Sequence, residues 1–352
     1  MNLFDYVRPA SLSEAIAAGS KPGAAYLAGG TNLLDLMKAG VAHPGKVVDI
    51  TRLPGLDRIE TLSDGSTRIG AMVRNSDLAR DPSFAASFPA VAEALLSGAS
   101  AQLRNAATVG GNLMQRTRCP YFYDPNSACN RRESGAGCDA IGGETHSHAV
   151  LGWTETCIAT HPSDFCVPLA ALDAVVEMEG PDGTRDVPLA DFHMLPDETS
   201  PGGADLKPGE IITALRLPAE AAAFAGNSRY LKLRERTSYA FALVSAAAML
   251  RMDGDTIAEA HIALGAVAAK PWRASAAEEL LNGATPDAET FARAAEAALD
   301  GARPSGDNAH KIDLAKRVLT RALTQAAAGT PDRMPALPAS VFASVNGASA
   351  HA

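Results

Sequence analysis

The chain has 352 residues, 47% of them apolar, with 31 Lys and Arg against 40 Asp and Glu and a net charge of −9. A soft prior of roughly 150 residues per domain predicts two or three domains. The diffuse acidic balance argues against a nucleic-acid partner, because phosphate binding needs a basic stripe. The longest apolar run, Ala240 to Leu250, holds eleven residues including Ser245, far short of the roughly 20 that span a bilayer. The N-terminus has no apolar signal segment, so no signal peptide is expected.

Predicted elements alternate through the first half. Ser11 caps a helix whose first turn holds Glu14. Ala25 to Ala28 reads as a buried strand, followed by Gly29-Gly30-Thr31-Asn32 and a helix from Leu33 to Ala39. Strands follow at 46–50 and 67–71, then a helix opened by Pro89. Residues 174–179 enter a hairpin turn at Pro181-Asp182-Gly183. Residues 195–209 read as a linker. Strands are expected at 211–217 and 229–233, and a hairpin at 244–252 and 257–267 around Asp253-Gly254-Asp255. Two helices close the pattern. One starts at Thr285, with Pro286 in its first turn, and the other carries Ile312, Leu314, Val318, Leu319 and Leu323 at helical spacing. The fold class is therefore α+β, with one unit over 1–190, a second over 205–328 and an extended tail over 329–352.

All five cysteines, Cys119, Cys129, Cys138, Cys157 and Cys166, fall in one segment. Cys166 sits in an apolar run and reads as a small core residue. Cys119, Cys129 and Cys138 sit in loop chemistry among prolines, glycines, asparagines and arginines, which with Cys157 suggests a metal or cluster site. No two are separated by the short knuckle typical of structural zinc, and cluster ligands also commonly cluster tightly, so spacing does not decide. Zinc joined by His146 and His148 is the other reading. Arg116, Arg118, Arg131 and Arg132 either favour thiolates or form a solvated loop face.

Two glycine motifs stand out. Gly40 to Val47 has P-loop spacing, but Val47 replaces the required hydroxyl and the segment precedes a strand. Gly29-Gly30-Thr31-Asn32 joins strand to helix, where successive N–H groups make an anion nest, or simply a tight turn. Thr108-Val109-Gly110-Gly111-Asn112 repeats much of that chemistry shortly before Cys119. Two such loops in one unit fit a diphosphate gripped from both sides, as in a dinucleotide cofactor.

With those motifs in view, the chain resembles the FAD-binding subunits of molybdenum hydroxylases, a family that includes xanthine dehydrogenase, carbon monoxide dehydrogenase and bacterial aldehyde oxidoreductases. The likeness rests on Leu27 to Leu33, Ala107 to Leu113, His161-Pro162-Ser163-Asp164, Gly209 to Ile212 and Tyr230 to Ala242. It implies a two-subdomain, PCMH-type FAD-binding domain and a C-terminal antiparallel sheet with helices. It assigns FAD contacts to Tyr26, Leu27, Ala28, Gly29, Gly30, Thr31, Asn32, Leu33, Leu34, Thr108, Gly111, Asn112, Asp164, Ile212 and Lys232. Lys232 in isolation would read as a half-exposed strand lysine.

The cysteine segment is similar to an insertion in the periplasmic-type aldehyde oxidoreductase branch. That similarity implies a [4Fe-4S] cluster on Cys119, Cys129, Cys138 and Cys157, with Cys166 left out. It also implies a heterotrimer with a large molybdopterin-binding subunit and a small [2Fe-2S] subunit. The chain would then be cytoplasmic, or periplasmic by export with a partner. A stand-alone FAD oxidase and a zinc-stabilised interaction module are the competing expectations.

Overall fold

The computed structural model describes residues 1–197 and 203–332. The expected linker is thus described only in part, and the expected tail beyond 332 lies outside the described residues. Three sheets organise the described residues. The first is parallel. Lys46–Asp49 lies between Asp5–Val7 and Ala24–Leu27, with Val48 opposite both Val7 and Tyr26. Helix Leu12–Gly19 covers it, and the Ser11 hydroxyl accepts the Glu14 N–H as the sequence predicts. Ala15, Ile16, Val48 and Ile50 close a small core there.

The second sheet is antiparallel, in the order Ile59–Thr61, Thr67–Gly70, Ile211–Leu217, Val175–Gly180, Gly183–Pro188. Ile211–Leu217, expected with the C-terminal region, instead pairs on both edges with strands from the first half. The reason is burial. Six of its seven residues are buried, so both faces and both edges need partners, and a central place in this sheet supplies them.

The third sheet runs Trp272–Arg273, Thr256–Gly265, Val244–Asp253, Ser228–Leu233. The uninterrupted apolar run of Val244–Asp253 is explained by its position between two cores. Ala247 and Met249 face the main core with Leu169 and Phe165. Val244, Ala246, Ala248 and Leu250 face a second core with Phe291, Leu319 and Leu323. Helices Ala288–Ala298 and His310–Ala327 form that outer layer. The first of these starts later than the sequence pattern suggests. Asp287 is its cap and accepts the Thr290 N–H at 2.8 Å, and Thr285 and Pro286 lie outside it, since the capping carboxylate rather than the proline fixes the start.

The final helix also carries an unexpected tether. Lys311 is fully buried, and its ammonium donates to the carbonyls of Ser147, His148 and Ala266 at 2.7–2.9 Å. Burial lowers its pKa to about 7. Asn308, also fully buried, donates to the carbonyls of His148 and Ala149. Together they pin the end of the cysteine-bearing insertion to the C-terminal layer. Replacing Lys311→Met strands three buried carbonyls. A stability loss of about 2–4 kcal/mol is expected, seen as a lower urea midpoint at unchanged slope.

Candidate functional site

The first glycine turn leaves strand Ala24–Leu27 and enters helix Leu33–Lys38. Gly30 has φ +73°, a conformation that suits glycine. Gly29 is needed for a different reason: a Cβ there would collide with the carbonyl oxygen of Ala106. The first turn therefore rests directly on the chain leading into the second. Among the described residues, the backbone N–H groups of Gly29, Gly30, Thr31 and Asn32 donate to no protein acceptor. These residues are partly exposed, so a run of four donors stands open to an anion. Asn32 occupies the cap position, yet its side chain does not cap the helix. Its Oδ1 accepts instead from Arg118 Nη2 at 3.2 Å and the Arg116 N–H at 3.4 Å.

The second turn is not a copy of the first. Thr108 caps the short helix Val109–Leu113, with its Oγ1 accepting the Gly111 N–H at 3.2 Å. The Gly110 N–H donates to the Ala71 carbonyl at 2.8 Å. Asn112 Oδ1 accepts from Gln115 and from Ser163 Oγ. Its donors are therefore largely satisfied within the chain, and Asn112 Nδ2 and the Thr108 hydroxyl hydrogen are what it can offer.

The Ser163–Asn112 bond, at 2.7 Å, seats His161-Pro162-Ser163-Asp164 against this turn. Asp164 accepts from Lys232 Nζ at 2.8 Å and from the Tyr230 hydroxyl at 2.6 Å. Lys232 also donates to the Ser97 carbonyl at 3.3 Å. Its side chain is 4% exposed and that of Asp164 is 9% exposed. The Lys232 side chain is thus shielded from water, unlike the half-exposed strand lysine that the residue in isolation suggests, because a buried carboxylate and a carbonyl receive its charge. Burial, and then the Asp164 carboxylate, push the Tyr230 phenol well above its ordinary pKa, so it stays a donor. Ile212 lies in the main core. Its neighbour Ile211 is the one that packs with Tyr26 and Ala28 beside the first turn, and the Tyr26 hydroxyl donates to the Gly209 carbonyl at 2.9 Å.

The insertion brings its four thiols into one neighbourhood. Cys129 and Cys138 face each other in an antiparallel bridge, and Cys157 bridges to Thr154. Burial pushes the Cys119 thiol up to about 12, and charge on Cys129 and Cys157 adds to that. Burial likewise raises Cys138, with Cys157 again contributing. All four are free thiols. No three of their sulfurs lie within 4.8 Å of one another among the described residues. Sulfurs on one tetrahedral zinc at about 2.3 Å would sit closer together than that.

The arginines act mainly as braces. Arg116 donates to the Arg131 carbonyl and stacks over Phe122, and Arg132 donates to the carbonyls of Tyr121 and Phe122. Phe122 and Cys129 pack on Leu36 of the helix that follows the first glycine turn. His148 is the residue that sequence reasoning placed only in the zinc alternative. It is buried, its Nε2 lies 3.2 Å from Cys119 Sγ, and its Nδ1 has no partner. Burial, followed by the charge of Lys311, lowers its pKa to about 4. His146 is exposed and pairs with Glu235 at 3.6 Å, away from the thiols.

Breaking the Asp164–Lys232 pair from one side is expected to be costly. Lys232→Met leaves a buried carboxylate without its cation, a loss on the order of 3–5 kcal/mol. Adding Asp164→Leu to that variant recovers much of the loss if the charge is the cause, as chemical denaturation of both variants will show.

Comparison with known proteins gives consistent matches. The family described as the FAD binding domain in molybdopterin dehydrogenase matches residues 2–220. The CO dehydrogenase flavoprotein C-terminal domain matches residues 229–326. The aldehyde oxidoreductase FAD-binding subunit PaoB of Escherichia coli (strain K12) is 47% identical, over 93% of this chain and 99% of that protein. The carbon monoxide dehydrogenase medium chain of Hydrogenophaga pseudoflava is 30% identical, over 92% of this chain and 96% of its own length. Among solved structures, quinoline 2-oxidoreductase from Pseudomonas putida 86 superposes with a TM-score of 0.71 at 28% identity, covering 93% of this chain and 99% of that one.

Proposed function

The chain belongs to the FAD-binding medium subunits of the molybdenum hydroxylases, and from that membership we propose that it is the electron-transfer subunit of a molybdenum-dependent aldehyde oxidoreductase, holding FAD and a [4Fe-4S] cluster. Its partners in this reading are a large molybdopterin-binding subunit and a small [2Fe-2S] subunit. The aldehyde assignment follows PaoB, whose name states that activity.

One observation carries the reading. Arg118, next to Cys119, donates to Asn32 at the end of the open N–H row. The loop bearing the first thiol is thereby fastened to the turn that would receive a diphosphate. In this reading the flavin site and the cluster site are joined by the bonds of Arg116 and Arg118 to Asn32 and by the helix that both loops touch.

The residues fit both groups. The four free N–H groups from Gly29 to Asn32 suit a pyrophosphate. Asn112 Nδ2 and the Thr108 hydroxyl add donors from the other side. Asp164, held by Lys232 and Tyr230, is placed to accept from a ribose hydroxyl, and Lys232 brings positive charge beside it. Cys119, Cys129, Cys138 and Cys157 are neighbours in the fold and offer four thiols, the number that a [4Fe-4S] cluster takes. When bound, FAD and the cluster supply the redox chemistry, and the protein positions and tunes them. A neutral His148 has one N–H, and a ligating thiolate only accepts, so its Nε2 hydrogen points at Cys119. Such a bond stabilises added negative charge at the sulfur.

Three outcomes test this. Purified anaerobically, the chain is expected to show flavin absorption over a broad iron–sulfur background. Cys129→Ser should lose most of its iron while keeping FAD, because the two sites share no ligand residue. Equal iron in variant and wild type, by metal analysis, would remove the cluster assignment. His148→Leu is expected to retain iron and to lower the cluster's midpoint potential by about 59 mV, a tenfold step for one electron, in a redox titration followed by electron paramagnetic resonance.

A further inference from the structure

Beneath the second glycine turn lies a group of side chains that neither cofactor site uses. The ligating atoms of His161, Cys166 and His193 lie within 4.8 Å of one another, and all three residues are buried. The two imidazoles are in contact, with ring centroids 4.3 Å apart and planes tilted by 56°. Each ring has one nitrogen with no partner: His161 Nε2 and His193 Nδ1. An unpaired polar atom in a protein interior costs free energy, so two of them side by side call for an occupant.

The tautomers specify its chemistry. His193 Nε2 donates to the Leu113 carbonyl at 2.9 Å, which leaves Nδ1 with a bare lone pair. A ring held through its other nitrogen by a backbone carbonyl is the usual arrangement of a metal-ligating histidine. His161 Nδ1 accepts only a long 3.4 Å contact from the Ser163 N–H, so the ring proton can move from Nε2 to Nδ1 at little loss and free the Nε2 lone pair for a ligand. Burial, then mutual repulsion with His193, keeps His161 neutral, and burial keeps His193 neutral. Both imidazoles are therefore in the form that binds cations. A cavity of about 30 Å³ borders both rings, with Leu113, Pro162 and Ala204 among its walls. It holds about one water.

We propose that His161, Cys166 and His193 form a binding site for one borderline-to-soft divalent cation of the zinc type, with a water in the fourth position. Imidazole nitrogen and cysteine sulfur are both zinc donors, and three protein groups with water in the fourth place is the form that open zinc sites take. Binding replaces the Cys166 thiol proton with the metal and releases that proton to solvent. Arg131 acts on His161 with its positive charge, and the thiolate formed on binding offsets it. The site is independent of the flavin and cluster assignments, because it shares none of their residues.

The test uses the full chain with its FAD and iron in place. It is dialysed anaerobically against zinc chloride, then against zinc-free buffer. One zinc per chain is expected to remain, with a nitrogen-dominated shell containing a single sulfur by X-ray absorption. Cys166→Ala and His193→Gln should each reduce retained zinc on the order of tenfold or more, with FAD and iron unchanged. Added zinc should raise the thermal midpoint of the wild type and not that of Cys166→Ala, which also shows whether the variant is folded. Equal zinc in wild type and Cys166→Ala overturns the proposal. So does a shell of sulfur alone, which would place the zinc on the four insertion thiols.

Discussion

The contact between Gly29 and the Ala106 carbonyl is the constraint on which the site depends. No residue with a Cβ fits there, so two turns nearly eighty positions apart in sequence are held in backbone contact. The two turns differ in how they use their polar groups. The N–H row of the first turn is left without protein acceptors among the described residues, whereas the donors of the second are mostly spent on internal bonds that hold it in place.

The cysteine insertion is held by a different kind of force. It contributes little to the large apolar cores, and a small cluster with Leu36 is its main hydrophobic anchor. Polar tethers do the rest. Arginines reach carbonyls within the loop, Arg118 reaches Asn32, and Lys311 with Asn308 grips the far end from the last helix. A loop built this way is fixed where its chemistry requires and needs no core of its own. It belongs to both halves of the chain, because its two ends are tied to different layers.

Much of this was legible in sequence where the signal is local. The Ser11 cap, the hairpin around Gly254 and the two glycine turns are set by neighbours a few residues away, and they appear where the pattern puts them. The H-P-S-D run and Lys232 were singled out through the family resemblance, and nothing local to Lys232 foretold its ion pair, because a charge that is neutralised by a group 68 positions away leaves no local mark. Lys311 and Asn308 were invisible for the same reason. So was the place of Ile211–Leu217, since an apolar strand announces that it is buried and not which sheet buries it. His193 gave no signal at all. A lone histidine after a phenylalanine acquires meaning only when the fold sets it on His161.

That strand has a consequence for how the molecule is made. The five-stranded sheet encloses Ile211–Leu217 between strands that all precede it in sequence. A nascent polypeptide emerging from the ribosome therefore exposes two unfinished sheet edges until residue 217 has cleared the exit tunnel. Residues 119–157 are synthesised before the central strand of that sheet, so the cysteine loop leaves the ribosome while the sheet is still incomplete.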